Sequence, residues 1–266
     1  MDICLIGITG KMGKAILDCS LNYESVNIKY GVASLRSLEN QTKIAEIKSK
    51  YGVDSITSSD LDETIKLSDV VIDFSTPDLC MKALETAIKN NKNFISGTTG
   101  FSSEEFVKLK NAGNKIPILW SSNMSIGVNV LNILAAQAAQ MLKNYDVEIC
   151  EMHHKHKKDA PSGTALTLGE KIAEAKKIKF NDVAVKSREG ISQSSRNQNE
   201  IGFAALRGGS VIGDHNVIFA GENDIIEIKH HAQNRSIFAN GALEAAIWSL
   251  GKARGFYEMK DILTDI

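Results

Sequence analysis

The chain has 266 residues, 43% hydrophobic and 24% charged, which suits a soluble globular protein of one large or two modest domains. Its 31 Lys and Arg nearly balance its 32 Asp and Glu, so it lacks the global basic field that a nucleic-acid binder needs. No apolar run approaches the roughly 20 residues needed to cross a bilayer. The opening MDICLIG has neither a basic n-region nor a cleavage site, so a cytoplasmic protein without membrane partners is expected. Cys4, Cys19, Cys80 and Cys150 are scattered and form no CxxC, which fits reduced thiols in a cytosolic compartment.

In chain order, ICLIG, NIKYGVAS, DVVIDFS, KNFISGTTG and IPILWSSN read as buried strands bounded by turn residues. KMGKAILDCSL, PDLCMKALETAIKNN and SSEEFVKLKNAG read as helices after the first, third and fourth of them. Pro77 suits a first helical position, and Ser102 or Ser103 with Glu105 suggests a capping box. Such alternation implies a parallel sheet covered on both faces. After Asn123 the pattern changes. A long Ala-rich helix (IGVNVLNILAAQAAQMLKN) is followed by the strand YDVEICEM, the run HHKHKKDAPSG and the helix TALTLGEKIAEAKKI. The polar segment from Lys186 to Glu200 reads as a mobile loop. IGFAALRG, HNVIFAG and DIIEIKHHA then suggest an antiparallel or mixed sheet, and FANGALEAAIWSLGKARG a last helix.

Gly7, Gly10 and Gly13 fall directly after the first strand and open the first helix. That is where a dinucleotide fold needs a tight turn, close approach of a pyrophosphate and helix–strand packing. The helix N-terminus adds unpaired N–H groups and partial positive charge. The spacing is GxxGxxG rather than GxGxxG, so the motif is only moderately specific, and a glycine turn that binds nothing is the bland alternative. At the end of the second strand, where an NAD site usually carries an acidic residue, stand Leu35 and Arg36. A guanidinium there can pair with a 2′-phosphate, which leans towards NADPH, although a lone surface arginine is equally ordinary. The turns Ser75-Thr76-Pro77, Gly97-Thr98-Thr99-Gly100 and Ser121-Ser122-Asn123 fall at strand ends that would line the same crevice.

EMHHKHKKDAPSGTAL holds three of the six histidines. Neighbouring His153 and His154 point to opposite faces of a strand, and the lysines among them crowd any cation, so no metal site is expected. A solvated basic loop is the plain alternative. Against it, Ser162 or Thr164 falls near a helix N-cap, which makes an anion seat beside Lys157. A carboxylate held there would lie beside His153, a residue type suited to proton donation near neutral pH.

GITGKMG, VVIDFSTP, SGTTGF, SSNMSIGVN, EMHHKHKKDAPSGTAL and RSIFANGALEAAIW together resemble the 4-hydroxy-tetrahydrodipicolinate (dihydrodipicolinate) reductase family over nearly the whole chain. The resemblance implies an α/β chain. Residues 1–124, completed by a C-terminal helix at 235–266, would form a Rossmann-like dinucleotide-binding domain. Residues 125–234 would form an α+β substrate-binding and oligomerisation domain with a mixed sheet, joined into a homotetramer. It further implies reduction of 4-hydroxy-tetrahydrodipicolinate, a dicarboxylate of lysine and diaminopimelate biosynthesis, by NADPH and/or NADH, with no metal. His153 looks like the proton donor and Lys157 like its supporting cation. His154, Gly163 and Thr164, with Ser162 at the cap, resemble the carboxylate site. Gly7, Ile8, Thr9, Gly10, Lys11 and Met12 are similar to cofactor contacts, as are Gly97, Thr98 and Thr99, and Ser121, Ser122, Asn123 and Met124. Many members carry an acidic residue at the place of Leu35 and Phe at the place of Met124. Two other readings remain: a different two-domain amino-acid dehydrogenase, which would not need HHKHKKDAPSGT, and a non-catalytic NAD(P)H sensor, which would not need His153.

Overall fold

The computed structural model describes residues 1–58, 60–192 and 194–265. The chain divides into two compact units, Met1–Ile126 with Ser236–Ile266, and Gly127–Arg235.

The first unit runs β1 (Asp2–Ile6), α1 (Lys11–Ser20), β2 (Asn27–Val32), α2 (Leu35–Leu38), α3 (Gln41–Tyr51), β3 (Ser55–Thr57), α4 (Leu61–Leu67), β4 (Val70–Asp73), α5 (Pro77–Lys89), β5 (Asn93–Ser96), α6 (Ser103–Ala112) and β6 (Pro117–Trp120). The second comprises α7 (Ile126–Met141), which starts at the boundary, then β7 (Asp146–His153), α8 (Gly163–Ala175), α9 (Phe180–Val183), β8 (Ala184–Val185), β9 (Ile201–Arg207), β10 (Asp214–Ala220) and β11 (Ile225–His231). The chain then completes the first unit with α10 (Ser236–Ser249), β12 (Gly255–Tyr257) and α11 (Met259–Thr264).

The first sheet has the order β3-β2-β1-β4-β5-β6-β12, and every pairing in it is parallel. Its period-two side chains feed two cores. Ile3, Leu5, Val70 and Ile72 pack with Ile16 and Leu17 of α1 and with Ala242 and Leu243 of α10. Cys4, Ile6 and Val71 pack on the opposite face with Ala83 and Leu84 of α5 and Leu109 of α6. Strand order reverses between β1 and β4, the point at which open α/β sheets receive ligands. The first sheet thus has the doubly wound arrangement expected. Pro77 stands in the first turn of α5, and Ser102 with Glu105 closes a capping box on α6.

The C-terminal segment is more than one helix. After α10, strand β12 pairs with β6 as a seventh, edge strand, and α11 follows. Ile266, the last position of the expected helix, lies outside the described residues.

The second sheet has the order β11-β10-β7-β9-β8. It is mixed: β7 runs antiparallel to β10 and parallel to β9. Along β7, Val147, Ile149, Glu151 and His153 are buried on one face. Leu131 and Ala135 of α7 and Leu168 and Ile172 of α8 join the same core. The Lys186–Glu200 segment forms no helix or strand in its described residues, and two of its arginines bond to β7. Arg188 donates to both Glu148 carboxylate oxygens at 2.9 Å, and Arg196 reaches Asp146 at 2.5 Å and the Val147 carbonyl at 2.9 Å. Gln193 of that segment lies outside the described residues.

Candidate active site

The turn after β1 is built by close approach. Gly7 has φ +82°, and a Cβ there would stand 2.3 Å from the Phe74 carbonyl oxygen. At Gly13 a Cβ would stand 2.4 Å from the Gly7 carbonyl, so this glycine lets α1 pack on the turn. Gly10 is the N-cap of α1. It supplies no side-chain cap, and the first turn of α1 holds no acidic residue. The first N–H groups of α1 therefore lack intrahelical partners, and Gly10 places no side chain of its own over them. A pyrophosphate fits this cradle.

The neighbouring turns are tied together by Asp73, a fully buried carboxylate at the end of β4. Ser96 donates to it at 2.8 Å and Thr98 at 2.7 Å, and Ser75 also hydrogen-bonds to it. Burial pushes the Asp73 carboxyl above its ordinary range, with these hydroxyls and Cys80 pulling the other way. Thr98 thus turns its side chain inward, while Thr99 and Gly100 are exposed. Trp120 donates to the Thr98 carbonyl at 2.8 Å. Ser121 and Asn123 brace each other, with the Ser121 hydroxyl donating to the Asn123 carbonyl at 2.8 Å. Met124 and Ile8 place their side chains in the core, leaving only backbone for a ligand. Thr9 is half-buried, Lys11 and Ser122 are exposed, and Met12 packs against the core. Arg36 is exposed on α2, with Ser34 as the cap of that helix.

In the second unit, His153 ends β7 and His154 begins the following loop. The His153 Nδ1 lies 2.5 Å from the Glu151 Oε2. Arg207 of β9, the register partner of His153, donates to both Glu151 oxygens at 2.9 Å. The Ser162 N–H donates to Glu151 Oε1 at 3.1 Å, and the Ser162 hydroxyl caps α8 by accepting from the Ala165 N–H. His215 of β10 stands opposite Glu151 and lies 3.2 Å from the Ser162 hydroxyl. Burial drives the His215 imidazole down to about 4, with His153 adding to the shift, so its ring is neutral near pH 7. Burial raises the Glu151 carboxyl, but the hydrogen bonds from Arg207 and His153 outweigh it and hold the group below its ordinary value.

The first turn of α8 has no acidic residue, and a Cβ at Gly163 would enter open space, so the helix start is open at Gly163 itself. Thr164 follows it in the same turn. Lys157 pairs with Asp159 at 2.9 Å. The His154 Nδ1 is buried without a partner among the described residues. Burial lowers the His154 imidazole, aided by Arg235 and His156. Among the described residues no three His, Cys, Asp or Glu are grouped to hold a metal ion.

The sequence reading singled out His153, His154, Lys157, Ser162, Gly163 and Thr164, and the fold gathers these around the end of β7 and the start of α8. It missed Glu151, Arg207 and His215. The pair Glu151-x-His153, alternate residues of a strand, was a readable signal for the first; the other two arrive only through strand register.

Comparison with known proteins decides the lineage. Residues 1–124 match the family model described as dihydrodipicolinate reductase, N-terminus, and residues 127–263 the one described as dihydrodipicolinate reductase, C-terminus. The chain belongs to the dihydrodipicolinate reductase family. It is similar to the 4-hydroxy-tetrahydrodipicolinate reductase of Zymomonas mobilis, 42% identical over 98% of this chain and 96% of the relative. The reductase of Rickettsia bellii is 40% identical over 100% and 96%. Among solved structures, a dipicolinate-bound dihydrodipicolinate reductase from Paenisporosarcina sp. TG-14 has the same fold, with a TM-score of 0.76 and 23% identity over 97% of both chains. A scyllo-inositol dehydrogenase from Lactobacillus casei shares the fold more loosely, with a TM-score of 0.61 and 12% identity over 100% of this chain and 89% of that one. As a member of this reductase family the chain is an NAD(P)H-dependent enzyme, and its first unit is the family's dinucleotide-binding domain. No described helix is long and apolar enough to cross a membrane.

Proposed function

We propose that this reductase converts 4-hydroxy-tetrahydrodipicolinate to tetrahydrodipicolinate, with His153 as the proton donor. The observation that carries this reading is the side-by-side placing of a buried, carboxylate-braced imidazole and the start of α8, open at Gly163, whose cap, Ser162, hydrogen-bonds to the same carboxylate. One substrate carboxylate would accept from the N–H groups at Gly163 and Thr164, with Lys157 and His154 adding charge and hydrogen bonds. A carboxylate arriving at Lys157 competes with Asp159, which already accepts from that ammonium.

The cradle of Gly7, Gly10 and Lys11 would hold the dinucleotide phosphates, and the strand-end turns at Gly97–Thr99 and Ser121–Met124 would present backbone to the rest of it. When bound, the reduced nicotinamide supplies a hydride. Water is lost from the 4-hydroxy substrate, the hydride is added to the ring, and His153 delivers the accompanying proton from Nε2, since Nδ1 is engaged by Glu151. Arg36 favours NADPH through its 2′-phosphate. We place the protein in the cytoplasm. We assign it a homotetramer, supported by Leu206 and Ile225, exposed on the face of the second sheet opposite Glu151 and His153.

The test is a coupled assay in which the synthase product is offered with NADPH or NADH while absorbance of the reduced nicotinamide is followed. Turnover is expected with the native chain and a loss of roughly 100-fold or more in His153→Gln. A His153→Gln variant that turns over normally would overturn the role given to that residue.

A further inference from the structure

His153 does not stand alone on β7. The Glu151 side chain is 1% exposed, yet it receives four hydrogen bonds: from Arg207 Nη1 and Nη2, from the Ser162 N–H, and at 2.5 Å the contact with His153 Nδ1. A carboxylate so fully occupied stays ionised and acts only as an acceptor. His153 must therefore present Nδ1–H to it in both of its protonation states, which leaves Nε2 as the atom that gains and loses the proton. The Nε2 side is kept open by Gly213, where a Cβ would stand 3.1 Å from that nitrogen.

The second partner changes the chemistry. A buried carboxylate facing an imidazole alone would stabilise imidazolium strongly and discourage proton release. Arg207 occupies the same two oxygens in a bidentate grip and neutralises much of that charge. Arg207 is itself anchored by the carbonyls of Leu206 and Asp159, each at 2.6 Å, so the fork is not free to swing away.

We propose that Glu151 and Arg207 are positioning residues for the reaction: Glu151 fixes the Nδ1–H form of His153, and Arg207 moderates the hold of Glu151 on the proton that Nε2 delivers. This rests on His153 being the proton donor. Among the described residues, further titratable groups lie on the neighbouring elements. On β10 are His215, 5.2 Å away ring to ring, and Asp214; His230 on β11 faces His215. In the loop are His154, Lys157 and Asp159. Only Glu151 hydrogen-bonds directly to the His153 ring among the described residues. Because Ser162 shares Glu151, the same carboxylate also ties the donor to the cap of the helix that faces the substrate.

The pair makes opposite predictions for its two halves. The alkaline limb of kcat/KM against pH reports loss of the donor proton. In Glu151→Gln, the unbalanced Arg207 cation should move that limb to lower pH by roughly one unit or more, with kcat falling at least tenfold at pH 7. In Arg207→Gln, the unbalanced Glu151 should move the limb to higher pH by a similar amount. Arg207→Lys, which keeps the charge, should restore the limb most of the way. Cofactor Kd should be unchanged in all three. If both variants lose turnover with the limb where the native enzyme has it, Glu151 and Arg207 are scaffolding and the proposal is overturned. If His153→Gln keeps turnover, it is the donor assignment that fails, which is a separate result. Nitrogen NMR of histidine-labelled native enzyme gives an answer that needs no variant to fold. Neutral His153 should carry its proton on Nδ1, and a neutral ring protonated on Nε2 would refute the proposal.

Discussion

The Thr98 hydroxyl donates to the buried Asp73 carboxylate at 2.7 Å and accepts from the Ser75 N–H at 2.9 Å. One side chain therefore joins the ends of β4 and β5 to their following turns. Replacing Asp73 by Ala strands the hydroxyls of Ser75, Ser96 and Thr98, a loss of about 3 kcal/mol or more. A lower Tm is expected for Asp73→Ala, and Thr98→Val should raise the KM for the dinucleotide several-fold with a smaller loss of Tm than Asp73→Ala. A Thr98→Val enzyme with native cofactor KM would show that this bond does not shape the turn.

Gly7 and Gly10 should separate folding from binding. Gly7→Ala meets both a positive φ and the Phe74 carbonyl, and should cost about 2 kcal/mol or more. At Gly10 a Cβ would lie 3.1 Å from the Gly7 carbonyl, so Gly10→Ala should keep a near-native Tm and weaken NADPH binding at least tenfold. Titration of nicotinamide fluorescence beside thermal melts distinguishes the two.

Arg36 is exposed on α2, the short helix that follows β2. Arg36→Ala is expected to raise KM for NADPH about tenfold and leave that for NADH nearly unchanged. Equal effects on both cofactors would remove Arg36 from the phosphate site.

Lys157→Ala should lower turnover roughly 100-fold. The ammonium is shared with Asp159, whose side chain is well exposed, and such pairs are worth only about 0.2–1 kcal/mol. Asp159→Asn should therefore leave kcat within about threefold and lower the substrate KM by a factor of roughly two to five. Steady-state kinetics on the two variants check both statements.

His215 makes the second unit acid-labile. Its folded value of about 4 lies below the unfolded 6.5, so the unfolded chain takes up the proton first as pH falls. The stability contributed by the neutral ring is complete above pH 6.5 and is lost between 6.5 and 4, about 3 kcal/mol in all. Melting curves of the native chain and His215→Gln from pH 7.5 to 4.5 should show a smaller acid loss in the variant.

Much of this could be read from the residues. The first unit announces itself because β1 and β4–β6 are apolar runs with helices of regular period between them. The stretch 41–67 did not, for physical reasons: α3 buries only Ile47, and β3 is three residues long. Pattern reading needs a repeated apolar face, and these elements scarcely have one. His153, Lys157 and the Ser162 cap could be singled out together because they lie within twelve residues of chain. Arg207 and His215 were not, since each lies more than fifty residues from His153 and is brought there by pairing of β9 and β10 with β7.

That pairing has a further consequence. Strand β7 is the middle strand of its sheet, bonded on both edges along its length, and His153 and Glu151 are carried on it. Amides of such a strand exchange with solvent only when the whole unit opens. The Glu151–His153 pair is thus carried by the part of the second unit that surrenders last. On warming, the enzyme should retain a correctly assembled donor through fraying of the β8 and β11 edges and lose it in one step with that unit's melting.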